Sequence, residues 1–277
     1  MAVGISDLTG KVAVVTGGAA GIGYAIAASL IARGAEVTVA DVERTALEAA
    51  SASLGVPGVV TDVGNAVDVQ ALADKVVERH GRIDIAVNNA GVAKIAPFDQ
   101  LTLDDFRWVI DVNLWGVVNG MNVFLPIIES TSTSGYVVNT ASIAGLRAGP
   151  GLAAYGVTKF GVVALTETVS EELAQRDSHV RVGVLVPAMV RSNIANSERN
   201  RPGSAPAQSD RRQPEGILSA DVVGDTVVDA IERGDLYIVT HPEALESVRA
   251  RHRRIEEATD RFLPNGEFGI AGGRNLG

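Results

Sequence analysis

The sequence predicts an α/β protein: one doubly wound sheet of about seven parallel strands with helices on both faces. Three observations support this. Short apolar runs alternate with longer helical patterns through most of the 277 residues. The runs are apolar at successive positions, as strands covered on both faces must be. Aromatics make up only 4% of a chain that is 46% hydrophobic, so Ala, Val, Leu and Ile must fill the core.

Residues 11–16 (KVAVVT) read as the first strand, and residues 21–33 as a helix that Gly34 stops. Residues 36–40 form a second strand ending at Asp41, residues 44–54 a helix, and residues 58–61 a third strand. A helix over 67–80 leads into a fourth strand at 83–87. Residues 102–128 form a long helical region with a break near Asn113. A fifth strand at 135–140, a helix at 154–175 and a sixth strand at 180–186 follow. A helix over 220–233 and a short seventh strand at 236–239 complete the alternation. Strand–helix–strand repeats of this kind imply right-handed crossovers, with ligands at the carboxyl ends of the strands.

No linker is visible, so residues 1–277 read as a single domain. One stretch differs. Residues 191–216 carry five arginines (191, 199, 201, 211 and 212) and little apolar periodicity. Their place after the sixth strand predicts a mobile substrate lid or a disordered surface loop. Its arginines hint at a polar or anionic substrate. The glycine-rich tail, 264–277, is expected to pack late or to pair with a partner chain. Arg249, Arg251, Arg253 and Arg254 read as a solvated helix face.

Charge and composition exclude several functions. Lys and Arg total 24 against 33 for Asp and Glu, a net charge of −9, which argues against nucleic acid as a partner. There is no cysteine, so disulfides and thiolate chemistry are impossible, and the four histidines lack ligand spacing, so no metal is expected. The N-terminus lacks a basic segment followed by an apolar run, and no apolar stretch nears the roughly 20 residues a bilayer requires. The expectation is a soluble cytoplasmic protein that does not meet membranes.

Two clusters carry chemistry. The first, Thr16-Gly17-Gly18-Ala19-Ala20-Gly21-Ile22-Gly23, lies between a strand and a helix. Glycines 17, 21 and 23 let the backbone approach a pyrophosphate, and the helix N-terminus offers amide donors. Asp41 ends the second strand about 20 residues later, where a carboxylate would accept both hydroxyls of an adenosine ribose. It would repel a 2′-phosphate, and Gly18, Ala19 and Ala20 bring no cation to offset that. NAD(H) is therefore favoured over NADP(H), with Arg44 keeping the second in view.

The second cluster is Tyr155 and Lys159, four apart near a helix start and so on one face. A tyrosine with a pKa of about 10 must fall by some 3 units to exchange protons near neutrality, and an adjacent ammonium favours the phenolate. Ser142, ending the fifth strand, could hold a substrate oxygen.

Together these motifs resemble the short-chain dehydrogenase/reductase family, a Rossmann-type fold. The matching residues are TGGAAGIG at 16–23, Asp62-Val63, Asn88-Asn89-Ala90-Gly91, Asn113, Ser142 and Tyr155-Gly156-Val157-Thr158-Lys159. The resemblance implies a hydride transfer between a nicotinamide and a secondary alcohol or ketone. Tyr155 would be the acid/base, with Lys159 lowering its pKa and binding the nicotinamide ribose. Ser142 would polarise the substrate oxygen, and Asn113 would hold a water leading from Lys159 to solvent. Gly17, Ala20, Gly21, Ile22 and Gly23 would cradle the phosphates. Asp41 and Val42 would meet the adenosine, with Asp62 and Val63 bordering the adenine. Asn89, Ala90 and Gly91 would line the ribose side, while Asn88 braces the fourth strand. Pro187, Val190 and Ser192 would contact the nicotinamide end. Two positions depart from the family habit: Ala188 stands where Gly is common and Ser192 where Thr is common. They imply a differently shaped loop that keeps its hydroxyl. A homo-oligomer, tetramer or dimer, is also implied. The rival readings are a non-catalytic dinucleotide-binding scaffold and a sugar-nucleotide epimerase or dehydratase. The latter needs a larger C-terminal domain than the chain beyond Val239 offers.

Overall fold

The computed structural model describes residues 4–203 and 217–262. The expected tail at 264–277 and the second half of the expected lid, 204–216, lie outside the described residues. The chain to Thr240 is one compact unit, and a second unit begins at His241.

Seven parallel strands form one sheet: β1 (Val12–Thr16), β2 (Glu36–Asp41), β3 (Gly58–Val60), β4 (Ile85–Asn88), β5 (Gly135–Thr140), β6 (Val180–Val186) and β7 (Tyr237–Val239). Their order is β3-β2-β1-β4-β5-β6-β7. Every neighbouring pair is parallel. The order reverses between β1 and β4, so the loops leaving these two strands open a crevice at the carboxyl rim. β1 is buried at all five positions and β5 at all six, as strands with helices on both faces require.

The helices are α1 (Gly21–Ala32), α2 (Arg44–Leu54), α3 (Ala66–His80), α4 (Leu103–Ile110), α5 (Gly116–Thr131), α6 (Ala153–Gln175) and α7 (Ala220–Arg233). α1 packs on α7 and α3 on α5, while α6 lies against β5 and β6. An aliphatic core of Val15, Ile26, Leu30, Val39, Val138, Leu185, Val227 and Ile231 joins α1 and α7 to the sheet. In the second unit α8 (Leu245–Phe262) carries Glu246 paired with Arg249 and Arg253 on an exposed face.

Three differences from the sequence reading bear on the site. β4 starts at Ile85 because Asp84, 1% exposed, is used as a cap. Its carboxylate accepts from the Val12 amide at 2.9 Å and the Ser132 hydroxyl at 2.5 Å, and meets the Arg82 guanidinium at 3.0 Å. The long helical region starts at a capping box between Thr102 and Asp105 and does not break into a loop. It passes through a π-helical turn, Asp111–Trp115, that carries Asn113 inward to complete burial. The region after β6 was expected as loop, yet Ile194–Asn200 is a 3-10 helix.

A buried polar chain fixes α6 against the strand ends. Asn88 donates to Asn139 at 2.9 Å, Asn139 donates to Thr166 at 3.0 Å, and Thr166 donates to the Val162 carbonyl at 2.7 Å. Gly120 of α5 lies against this chain: a β-carbon there would come within 1.9 Å of Asn88 Oδ1. Gly120→Ala should therefore cost about 2–3 kcal/mol of stability. The readout is a lower urea midpoint with an unchanged slope. A midpoint equal to that of the parent would mean that Asn88 moves aside freely.

Candidate active site

The crevice begins with the turn between β1 and α1. Gly17 has φ +64, a left-handed conformation, and a β-carbon on it would sit 2.8 Å from the Ala90 Cα. Gly23 faces back across the turn, where a β-carbon would meet the Gly17 carbonyl at 2.2 Å. No side chain caps the first turn of α1. Its amides therefore face the turn as donors for an anion.

The Asp41 carboxylate closes the far side. It accepts from the Ala19 amide at 3.1 Å and the Glu43 amide at 3.1 Å. Burial pushes its pKa up from the ordinary value, against the pull of those two amides. These features fit a dinucleotide: a tight backbone cradle, helix amides, and a carboxylate at the end of β2.

Thr16 and Asn89 brace the cradle. The Thr16 hydroxyl donates to the Val87 carbonyl at 3.2 Å and accepts from the Asn89 and Ala90 amides at 3.0 and 3.2 Å. Asn89 Nδ2 donates to the Thr16 and Gly17 carbonyls at 3.0 and 3.3 Å. Asn89 Nδ2 is thus turned onto the glycine turn. Val63 is likewise enclosed. It is 7% exposed beneath α5, where a β-carbon on Gly116 would meet it at 2.7 Å. Asp62 and Val42 remain exposed, and the Asp62 carboxylate accepts from the Gly64 amide at 2.9 Å. Val190 pairs with Leu218 in an isolated bridge below the rim.

Beyond the turn stand Ser142, Tyr155 and Lys159. The Ser142 hydroxyl follows β5, donates to the Pro187 carbonyl at 3.3 Å and accepts from the Ala144 amide at 3.2 Å. Lys159 Nζ, on α6, donates to the Thr140 carbonyl at 2.8 Å and lies 5.5 Å from the Tyr155 ring centre. Asn113 accepts from the Val92 amide at 2.7 Å and donates to the Val92 carbonyl at 2.8 Å and to Thr158 at 3.3 Å. A β-carbon on Gly91 would meet both Asn113 Oδ1, at 3.3 Å, and Lys159 Nζ, at 3.7 Å. Four of the sequence-predicted residues therefore gather on one side of the sheet, at the same rim as the glycine turn.

The electrostatics differ from the simple expectation. Lys159 was expected to lower the phenol. Instead enclosure pushes Tyr155 up to about 12, opposed by a hydrogen bond with Ser142. Burial pushes Lys159 down to about 7. The physical cause is desolvation of both groups; the ammonium bonds the Thr140 carbonyl and lies over the ring face, 5.5 Å from its centre.

A parallel sheet with a glycine cradle at its switch point, and a Tyr/Lys/Ser group on the same rim, defines a Rossmann-type oxidoreductase site. The chain belongs to the short-chain dehydrogenase family: residues 11–203 match that family's model. It is 30% identical to a "CLA biosynthesis dehydrogenase/reductase" of Lactiplantibacillus plantarum over 91% of this chain and 95% of that protein. It is 38% identical to a D-threitol dehydrogenase of Mycolicibacterium smegmatis over 70% of this chain and 76% of the relative. The solved structure of a short-chain dehydrogenase/reductase from Burkholderia phymatum in complex with NAD superposes with a TM-score of 0.86 at 37% identity. It covers 91% of this chain and 96% of that one.

Among the described residues no helix is long and apolar enough to cross a membrane, and no group of acidic residues and histidines is arranged to hold a metal. Sequence reasoning gave no role to the Thr140 carbonyl and named Thr158 and Thr16 only as members of the Tyr/Lys and glycine motifs. Their role is set by backbone geometry.

The lowered Lys159 makes stability depend on pH in a definite direction. The unfolded lysine holds its proton to about 10.5, the folded one to about 7. Between these values the unfolded chain binds the extra proton, so stability rises with pH. Below pH 7 the full cost of burying the charge applies. Lys159→Met should therefore melt several degrees higher than the parent at pH 7, with the gain shrinking towards pH 10. A melting curve unaffected by the substitution at pH 7 would contradict this.

Proposed function

We propose that this chain is an NAD(H)-dependent oxidoreductase that interconverts a secondary alcohol and a ketone. The observation that carries the reading is the convergence of Ser142, Tyr155 and Lys159 at the rim that also bears the glycine cradle. When bound, a nicotinamide would supply the hydride that joins the carbonyl carbon in reduction, or accept the hydride that leaves the carbinol carbon in oxidation. Tyr155 holds the matching proton: its phenol gives it to the substrate oxygen in reduction, and its phenolate removes it in oxidation. Ser142 orients that oxygen. Lys159, while protonated, would steady the phenolate charge, and it would hold the cofactor ribose. Asn113, fixed by Val92 and Thr158, keeps α4, the π-helical turn and α6 in register around Lys159.

The cofactor preference rests on Asp41. Its carboxylate lies against the Ala19 amide, and the turn has no cation to receive a 2′-phosphate. The Burkholderia phymatum relative, crystallised with NAD, supports the same choice. The substrate hint from the lid arginines weakens, since Arg199 and Arg201 are already paired with Glu43 and Asp105. The D-threitol dehydrogenase relative supports an alcohol as substrate. We extend the reading to a homo-oligomer, tetramer or dimer, acting in the cytoplasm; half-exposed Trp115 and Val157 support the oligomer.

Tyr155→Phe should lower kcat for alcohol oxidation by at least about 100-fold while NADH still binds. The parent's oxidation rate should climb through the alkaline range, because phenolate is the base and its pKa lies near 12. A variant turning over at the parental rate would remove Tyr155 from the chemistry. Separately, fluorescence titration should give NADH an affinity at least about tenfold above NADPH, a difference of about 1.4 kcal/mol. Equal affinities would contradict the role given to Asp41.

A further inference from the structure

The chain after β6 does more than cover the crevice; it is tied to each loop that borders it. Its base is the Pro187 carbonyl, which accepts from the Ser142 hydroxyl and the Ile143 amide. Ser192 lies against the glycine turn, where a β-carbon on Gly21 would meet its Cβ at 3.3 Å. Ser197, 3% exposed, accepts from the Ala93 amide at 2.8 Å and donates to the Ala93 carbonyl at 3.2 Å. Glu198 pairs with Lys94 at 2.5 Å. Arg201 pairs with Asp105 at 2.5 Å, and its guanidinium lies 5.6 Å from the Trp108 ring centre.

The strap ends on Glu43, two residues beyond the ribose-type carboxylate Asp41. Arg199 grips Glu43 with both prongs, Nε to Oε2 at 3.0 Å and Nη2 to Oε1 at 2.5 Å. Asn200 adds a third bond, Nδ2 to Oε1 at 2.9 Å. Arg199 Nη1 is held in turn by the Asn193 and Asn196 carbonyls at 3.3 and 2.8 Å. Burial alone would raise Glu43; the Arg199 and Asn200 bonds outweigh it and leave its pKa below the ordinary value. A two-pronged arginine–carboxylate pair fixes direction as well as distance.

We propose that Glu43 and Arg199 are positioning residues: a clasp that fastens the 191–201 strap across the dinucleotide crevice, so that opening it limits cofactor release. The inference rests on the NAD(H) reading above. Strap and glycine turn meet at Gly21 and Ser192, and the clasp lies beyond them at the Asp41 end. A dinucleotide stretched from Asp41 to Tyr155 would therefore pass beneath the strap. Neither clasp residue meets the reacting atoms, so the effect falls on binding kinetics and leaves the proton chemistry alone.

The test is stopped-flow displacement of NADH by excess NAD+, with Glu43→Gln, Arg199→Met and the charge-swapped double variant Glu43→Arg/Arg199→Glu. Glu43→Gln keeps the shape and the Asn200 contact, so it guards against simple misfolding. The expected result is an NADH off-rate about tenfold faster in both single variants, or about 1.4 kcal/mol. KM for NADH should rise in step, with the pH profile of kcat unchanged and the double variant recovering at least part of the loss. Parental release should also speed up between about 20 mM and about 0.5 M salt, and Glu43→Gln should lose that dependence. Off-rates equal to the parent's in both single variants, with NADH still bound, would overturn the clasp while leaving the cofactor reading intact. Failure of the parent to bind NADH at all would overturn the cofactor reading, and the clasp with it.

Discussion

The site is built around one costly burial. Lys159 is 2% exposed, and its ammonium bonds the last carbonyl of β5. An ammonium in such a place is tolerated only where the backbone is held still enough to meet it. The fold supplies that stiffness from three directions. The Asn88–Asn139–Thr166 chain ties β4, β5 and α6 together just below Thr140. The π-helical turn brings Asn113 against Thr158, next to Lys159 on α6. Ser142 and Ile143 anchor the end of β5 to Pro187. Burial lowers Lys159 and raises Tyr155 together, so near neutrality the pair holds its phenol proton firmly and its ammonium proton loosely. On the proposed reaction, the loosely held proton lies beside the group that must be reprotonated after each reduction.

What the sequence disclosed was whatever is written in local pattern. Strands such as β5 and β6 were found to the residue because they are apolar runs flanked by polar or glycine stops. The cradle and the Tyr/Lys pair were legible because each is a fixed spacing within one turn or one helix. The break near Asn113 was legible as an interruption, but its π-helical form was not: one inserted residue leaves no compositional mark. The sequence reading starts β4 two residues early because Asp84 lies between apolar Ile83 and Ile85, and only the fold shows its carboxylate acting as a buried cap.

The strap was the least legible part, for a plain reason. Its stability comes from partners far away in the chain: 104 residues for Lys94 to Glu198, 156 for Glu43 to Arg199 and 96 for Asp105 to Arg201. The strap is mostly polar and aperiodic, with only Ile194 and Ala195 apolar, which is also how a disordered loop reads. Asn89 has long-range partners of the same kind. Its position follows the family pattern, but the hydrogen bonds to Thr16 and Gly17 that occupy its side chain are set by the crossing of two loops.

Those long-range pairs also change the electrostatic reading of the crevice. A count of lid arginines suggests a cationic cover over the ligand. In the fold, Arg199 is neutralised by Glu43, Arg201 by Asp105, and Lys94 by Glu198. Asp41 has no such cationic partner among its hydrogen bonds; it accepts only from backbone amides. Asp41 therefore stands without a cationic hydrogen-bond partner at the end of β2, with Arg44 three residues on. A 2′-hydroxyl can donate to the carboxylate, whereas a 2′-phosphate would meet like charge in a partly enclosed space, where screening is weak. Arg199 and Arg201 are spent on the strap's fastening; Arg44, the cation that keeps NADP(H) in view, lies outside the strap, and on the proposed reading Asp41 outweighs it.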